Sequence, residues 1–336
     1  MFESKTKNIY TIDDVARELG VSKSTVSRAI SGKGRLSAET RSRILKFIEE
    51  HDFHPNAVAK SLAQSRTYNI GMIVPGDCDV IESAFFHECM EGCCEVAAKN
   101  DYDVLIVTVT GQDVRQLERI LRNHKVDGVI VTRSTIGSAF VTLLQKKKIP
   151  YVVIGTSPNP DVPCVDNDNE SAAKEMTSIL LAKGMKKIAL LGGNESYYVT
   201  HGRRRGFESA HIMAEVPFTE KWVFLNIDTQ KKAAQAVDDA LCQGVDCIIC
   251  MDDYICSMAL IRLREKNIRI PQDIRVACFY DSPILRQFNP PITGLHFDTR
   301  ELGRMSCQNL LDQLMECEVT SCTRIGYQVI LRESTN

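Results

Sequence analysis

Apolar positions recur along this chain with two different periods. Through residues 11–50 they fall three and four apart, the spacing of one face of an α-helix. Ile12, Val15, Ala16 and Leu19 stand at i, i+3, i+4 and i+7, which predicts a first helix. Thr11 is placed to cap it, and Asp13 and Asp14 sit in its first turn, where carboxylates suit the positive end of the helix dipole. Gly20 ends it, because glycine accepts the left-handed conformation after a helix. Ser22 caps a second helix that hides Val26, Ala29 and Ile30 and shows Lys23, Ser24, Ser27 and Arg28. A third helix from about Ala38 is expected to turn Ile44, Leu45 and Ile48 inward.

From Asn69 onward the pattern changes to short apolar runs separated by amphipathic ones. The runs "NIGMIVP", "YDVLIVTV", "DGVIVT", "YVVIG", "KIALLGG", "WVFLNI", "DCIICM" and "IRVACFY" read as strands. Between them "FHECMEGCCEVAAKN", "RQLERILRNH", "NESAAKEMTSILLAKG" and "CSMALIRLREKN" read as helices. This alternation predicts parallel sheets covered by helices on both faces. The chain of 336 residues is long enough for a small helical head and two such lobes. The link is "NAVAKSLA", residues 56–63, a two-turn helix started by Asn56 after Pro55. Isolated helices that short are marginal in water, so this one needs outside support.

Composition excludes several classes. Hydrophobic residues make up 44% and charged residues 25%, as in water-soluble domains. There is no apolar run of membrane-spanning length, and "MFESKTKNIYTIDD" has no export signal, so the expected compartment is the cytoplasm. The net charge of −2 hides an asymmetry: residues 1–66 carry 12 Lys/Arg and 8 Asp/Glu, against 29 and 35 in the rest. A basic head on an acidic body points the head at an anionic polymer. Of thirteen cysteines, Cys247, Cys250 and Cys278 lie in apolar runs and read as small buried hydrophobes, with Cys89, Cys93 and Cys94 on a packed helix face. "CIIC" has no second ligand pair at zinc spacing, and no metal or cofactor is expected. The turns "LLGGNES" and "IVPGDCD" match neither GxGxxG nor GxxxxGK[ST], and no G-x-S-x-G elbow occurs, so catalysis is not expected.

A helix, a glycine turn and a second helix with exposed polar groups form the helix-turn-helix pattern. In that arrangement the second helix enters the major groove, where hydroxyls reach phosphates and Lys or Arg reach guanine. The plain alternative is a three-helix bundle with a solvated face. The residues from "TIDDVARELGVSKSTVSRAISG" through "HPNAVAKSLAQSRTYNIGMIVP" resemble the head and hinge of the lac repressor/galactose repressor family, and a looser similarity runs on to "VILREST". That resemblance implies a head over residues 1–53, a hinge over 54–67 and a periplasmic-binding-protein-like core over 68–336. It implies three crossings between lobes, with one lobe near 68–167 plus 296–326 and the other near 168–295 plus 327–336. Contacts to DNA are expected from Thr11, Ser22, Lys23, Ser24, Thr25, Ser27, Arg28, Ser31 and Arg35 of the head. In the hinge Asn56, Ala59, Lys60 and Leu62 are expected at DNA, Leu62 as an apolar wedge in the minor groove once two hinges pair through Val58.

Effector contacts are expected from Phe86, Thr132, Arg133, Asp166, Arg203, Asp252, Tyr280 and Asp281 at strand ends, where ligands of such sheets bind. Arg203 matches the family's effector-gripping arginine; Arg204 and Arg205 read as surface ion pairs. Tyr280 replaces an aspartate common in the family, so a polar contact is gone or has become a stacking surface, and Trp222 is another candidate for stacking. The expectation is a repressor that binds pseudo-palindromic double-stranded operator DNA as a homodimer and answers to a mono- or disaccharide, with a resemblance to the maltose- and disaccharide-responsive branch. A purine or a phosphorylated protein corepressor is the alternative. No heptad-rich tail follows the last strand, which favours a dimer over a tetramer.

Overall fold

A computed structural model describes residues 10–31, 35–51, 66–76, 84–157, 159 and 161–336. The chain divides into two units, Met1–Thr67 and Tyr68–Asn336. The hinge residues Asn56, Val58, Ala59, Lys60 and Leu62 lie outside the described residues.

Among the described residues the head has three helices: α1 (Ile12–Leu19), α2 (Lys23–Ser31) and α3 (Ala38–Glu50). Local chemistry starts and stops α1. The Thr11 hydroxyl accepts from the Asp14 amide and donates to the Asp14 carboxylate, which in turn accepts from the Thr11 amide, a reciprocal capping box. Gly20 closes the helix at φ 63°, in the left-handed region. The Ser22 hydroxyl accepts from the Thr25 amide at 3.2 Å and so caps α2. Val15, Val26 and Ile44, one from each helix, are fully buried and form the centre of the head. Leu45 corrects the sequence reading: it is 44% exposed. Adjacent residues of a helix point about 100° apart, so Ile44 carries Phe47 and Ile48 inward at i+3 and i+4 and Leu45 turns out.

Among the described residues the core has two sheets of six strands. The first holds β1 (Asn69–Pro75), β2 (Asp103–Val109), β3 (Gly128–Val131), β4 (Tyr151–Ile154), β5 (Cys164–Asn167) and β11 (Cys322–Ile325) in the order β11-β5-β4-β3-β1-β2. The second holds β6 (Ile188–Leu191), β7 (Val223–Phe224), β8 (Cys247–Cys250), β9 (Arg275–Cys278), β10 (Thr293–Phe297) and β12 (Tyr327–Ile330) in the order β12-β10-β9-β8-β6-β7. All pairings are parallel except β10 with β12. Central strands such as "GVIV", "IALL" and "CIIC" are buried at every position, as a parallel sheet covered on both faces requires. "WVFLNI" contributes only the two residues of β7: it is an edge strand, and the chain turns away at Asn226, φ 60°. The chain passes between the sheets three times, after β5, after β10 and between β11 and β12.

The helices of the core are α4 (Ala84–Lys99), α5 (Arg115–Arg122), α6 (Ala139–Lys147), α7 (Asn169–Ala182), α8 (Tyr198–Met213), α9 (Gln230–Cys242), α10 (Asp253–Glu265), α11 (Pro283–Gln287) and α12 (Thr299–Leu314). Each lobe contains one very close helix pair, α4 with α12 in the first and α7 with α8 in the second. The Cys89, Cys93, Cys247, Cys250 and Cys278 side chains are buried as packing groups, whereas Cys94 is exposed.

One histidine of α8 makes the second lobe acid-sensitive. His211 is 1% exposed, its Nδ1 donates to the Phe207 carbonyl, and its Nε2 has no partner among the described residues. Burial pushes its pKa below the usual 6.5. As pH falls through 6.5 the unfolded chain takes up the proton first, so stability falls until the folded-state value is reached. Above 6.5 the effect vanishes. The slope approaches at most about 1.4 kcal/mol per pH unit for one proton. Thermal unfolding from pH 7.5 to pH 5 should show a shallower acid decline in His211→Gln than in the parent; identical slopes would contradict this.

Candidate DNA-binding surface and effector cleft

On the head, α2 presents Lys23, Ser24, Ser27 and Arg28 to solvent on the face opposite Val26 and Ala29. The Ser22 hydroxyl lies 2.8 Å from both the Ser24 and Thr25 hydroxyls, so short polar groups cluster at the start of this helix. Thr25 is half-buried against the head, and Lys23 leans toward Asp13 of α1 in an ion pair while 67% of its side chain stays exposed. Thr11 and Arg35 are exposed as well. The side chain of Ser31 lies outside the described residues. Arg43 of α3 donates to the Leu19 carbonyl at 2.9 Å and fixes α3 against the end of α1. A cationic arginine and several hydroxyls on one rigid helix face can read base edges and hold phosphates.

In the core, polar side chains gather where the strands end and the lobes meet. Arg203 of α8 is 9% exposed; its Nε donates to Asn169 Oδ1 at 3.1 Å and its Nη1 to the Met251 carbonyl just after β8. Asn169 donates onward to Asp166 Oδ1 at 3.2 Å, and the Thr156 hydroxyl donates to Asp166 Oδ2 at 2.7 Å. Asp252 caps α10 by accepting from the Ile255 amide at 2.8 Å. Burial raises the pKa of both Asp166 and Asp252, and the charge of Arg203 opposes that rise at both. Burial in turn lowers that of Arg203, opposed first by Asp252. A guanidinium between two half-buried carboxylates offers donors and acceptors together, the combination that vicinal hydroxyls satisfy.

A second group gathers after the end of β3, near enough for the Arg133 charge to act on Asp252. The Arg133 guanidinium carbon lies 5.4 Å from the Phe86 ring centroid and 4.7 Å from that of Tyr197, and Nη1 donates to the Tyr197 hydroxyl at 3.0 Å. Phe86 therefore has its ring face covered by Arg133, within reach of a cation–π attraction. Backbone closes the same mouth: Thr135 bridges Tyr197, and the Ile136 amide donates to the Ser196 carbonyl at 2.9 Å. Behind it lies a cavity of about 140 Å³ lined by Gln112, Thr132, Arg133, Asn194, Ser196 and Tyr197, among others. The Thr132 hydroxyl donates to the Ile73 carbonyl at 2.7 Å, which leaves only its acceptor lone pairs for the cavity.

Three expectations change. Asp281 is closed off: its carboxylate accepts from Arg332 at 2.8 and 3.1 Å and from Arg286 at 3.0 Å, with 1% of the side chain exposed. It ties the chain's C-terminal segment to the second sheet and has no group left for a ligand. Tyr280 is 5% exposed, edge-on to Phe85 at 6.1 Å, with its hydroxyl 3.5 Å from that of Thr299, so it packs where the lobes join. Trp222 packs partly against the core of the second lobe. Arg204 pairs with Glu208 and Glu220, and Arg205 with Glu170, as surface ion pairs. Sequence reasoning passed over Thr156, Asn169 and Tyr197. Asn169 carried a signal, since it follows the "VDND" strand end directly; Tyr197 carried one in the glycine turn "LLGGNES" that precedes it.

Comparison with known proteins agrees with this architecture. The family model described as periplasmic binding proteins and sugar binding domain of LacI family matches residues 67–330, and that of bacterial regulatory proteins, lacI family, matches residues 11–56. The HTH-type transcriptional regulator MalR of Streptococcus pneumoniae serotype 4 is 37% identical over 205 residues, 60% of this chain and 62% of that protein. The match thus spans less than two thirds of that regulator. A transcriptional regulator CelR solved with cellobiose superposes with a TM-score of 0.74 at 25% identity over 97% of this chain and 99% of the other. The lac repressor dimer bound to operator and anti-inducer shares the fold, with a TM-score of 0.79 at 21% identity over 98% and 99%. Among the described residues no helix is long and apolar enough to cross a membrane. With a helix-turn-helix head matched by one model and the two-lobed core by the other, this chain belongs to the LacI family of bacterial regulatory proteins.

Proposed function

We propose that this protein is a dimeric transcriptional repressor of the cytoplasm whose operator affinity is set by a mono- or disaccharide held between the lobes of the core. The observation that carries the reading is the Arg203–Asn169–Asp166 network with Asp252 beside it, a hydroxyl-binding arrangement at the strand ends. The cellobiose bound to the similar regulator CelR supports the ligand class. Pairing is supported by apolar side chains left exposed on the core: Leu105 and Ile106 on the edge strand β2, Tyr254 and Ile261 two turns apart on one face of α10, and Ile284 on α11. Two heads related by a two-fold axis would read a pseudo-palindrome.

A thermal-shift screen of the whole protein against maltose, cellobiose, other sugars and purines tests the ligand class, because binding to the native state raises the unfolding midpoint by mass action. Shifts with sugars alone are expected; a shift with purines alone would overturn the reading. The operator is found by selection from random DNA. On it, Arg28→Ala should relax preference at one position per half-site and cost about 1–3 kcal/mol. Equal weakening on all sequences would make Arg28 a phosphate contact instead.

A further inference from the structure

We propose that Cys164 and Cys322 are an oxidisable dithiol, a modification site for peroxide that staples together two of the three crossovers between the lobes. The two residues are direct partners in the parallel pairing of β5 with β11. Neighbouring strands run about 4.8 Å apart, inside the range of Cα separations that a disulfide spans. Partners in register project to the same face of a sheet, so the register sets the Cys164 and Cys322 side chains beside each other. Their environments differ in a useful way. Cys322 lies on the edge strand and is exposed; Cys164 is 4% exposed among the apolar side chains of the first lobe. Burial, with the neighbouring thiol next, pushes the Cys164 pKa up to about 11, so Cys164 waits as a thiol while solvent reaches Cys322.

The position gives the bond a consequence. β5 leaves the first lobe at Asn167 and the chain enters α7 of the second; β11 leaves it at Ile325 and the chain enters β12. These exits already touch, since the Asp168 amide donates to the Ile325 carbonyl at 3.4 Å and Arg324 lies 3.9 Å from the Asp168 carboxylate. A covalent link a few residues upstream fixes the spacing of the two strands that feed them. The chemistry balances with hydrogen peroxide as oxidant. The Cys322 thiolate attacks one peroxide oxygen and the O–O bond breaks, giving Cys322 sulfenic acid and hydroxide. The Cys164 sulfur then attacks the Cys322 sulfur; the S–O bond breaks, and the leaving hydroxide takes the Cys164 proton as water.

The test uses the purified full-length protein, treated with hydrogen peroxide, blocked with N-ethylmaleimide and digested without reductant. Mass spectrometry should find one peptide pair joining residues 164 and 322, and the unfolding midpoint of the treated protein should rise by several degrees and fall back with dithiothreitol. Cys322→Ser, an exposed substitution, should remove both the cross-link and the midpoint shift. Cys322 recovered as sulfinic or sulfonic acid, or joined to Cys317 or to a second chain while Cys164 remains free to alkylate on unfolding, would overturn the proposal.

Discussion

Gly303→Val is expected to prevent the first lobe from folding, and Gly303→Ala to lower the unfolding midpoint of the protein by on the order of ten degrees. A Cβ on Gly303 would stand 2.1 Å from the Cys89 carbonyl oxygen of α4, and one on Gly92 would stand 2.0 Å from the Arg300 carbonyl oxygen of α12. These contacts are with backbone, so no side chain can swing aside; the helices themselves must part. The pair is held by Cys89, Cys93, Leu302 and Cys307 in the core and by Arg300 and Arg304 reaching Glu95 at the surface. Parting them loosens both sets of contacts. Overpacking a close-packed core typically costs about 1–3 kcal/mol, and a backbone clash on this scale belongs at or above the upper end. Each kcal/mol moves the midpoint of a domain this large by about 2–4 °C. Gly111→Ala is the control: its φ of 57° strains any side chain, but nothing lies within 4 Å of the added Cβ. Thermal unfolding should separate the two, with Gly111→Ala losing about 1 kcal/mol. Equal losses would mean that conformational freedom, not helix contact, is what Gly303 supplies.

How far such features could be read in advance depends on whether their causes are local. The three head helices were legible because caps and apolar spacing are set within a turn: Thr11, Gly20 and Ser22 act on residues no more than four away. Leu45 misled because two adjacent apolar residues cannot both face one core, and only packing with α1 and α2 decides which one does. The central strands were visible as unbroken apolar runs. β5, β10, β11 and β12 were not among the strand runs predicted: "CVDN", "CTRI" and "YQVI" mix polar and apolar positions, and the last two lie at sheet edges. In the cleft, Arg203 shares a helix face with Gly206, Phe207 and Ala210 at i+3, i+4 and i+7, so its inward direction follows from periodicity, as does the outward direction of Arg204. Asp281 is the opposite case. Its partner Arg332 lies fifty-one residues on, and nothing around "CFYDSP" announces that the carboxylate is already taken.

Arg203→Ala is expected to reduce sugar affinity at least a hundredfold and to abolish the effector response, while operator binding without sugar stays near the parent level. The reasoning starts from what the arginine leaves behind. Without it Asn169 Oδ1 and the Met251 carbonyl lose their donor, and Asp166 and Asp252 lose the charge that favours their ionised forms. Removing one partner of a buried charged network costs about 3–5 kcal/mol, so the core should also be less stable. The pH dependence supplies an independent sign. Burial already raises both carboxylate pKa values above the usual 3.8, and loss of Arg203 should raise them further. A folded state that holds protons more tightly than the unfolded chain loses stability as pH rises above 3.8 until those groups have ionised. The variant should therefore lose more stability than the parent between pH 4 and pH 7. Arg203→Lys keeps the charge but not the planar fork, and should restore much of the stability while leaving sugar binding weak. Calorimetric titration with the sugar found by thermal shift, alongside unfolding of both variants across that pH range, reads all three effects. A Lys variant that binds sugar as tightly as the parent would show that Arg203 supplies only charge to the cleft; an Ala variant with unchanged affinity would remove it from the site.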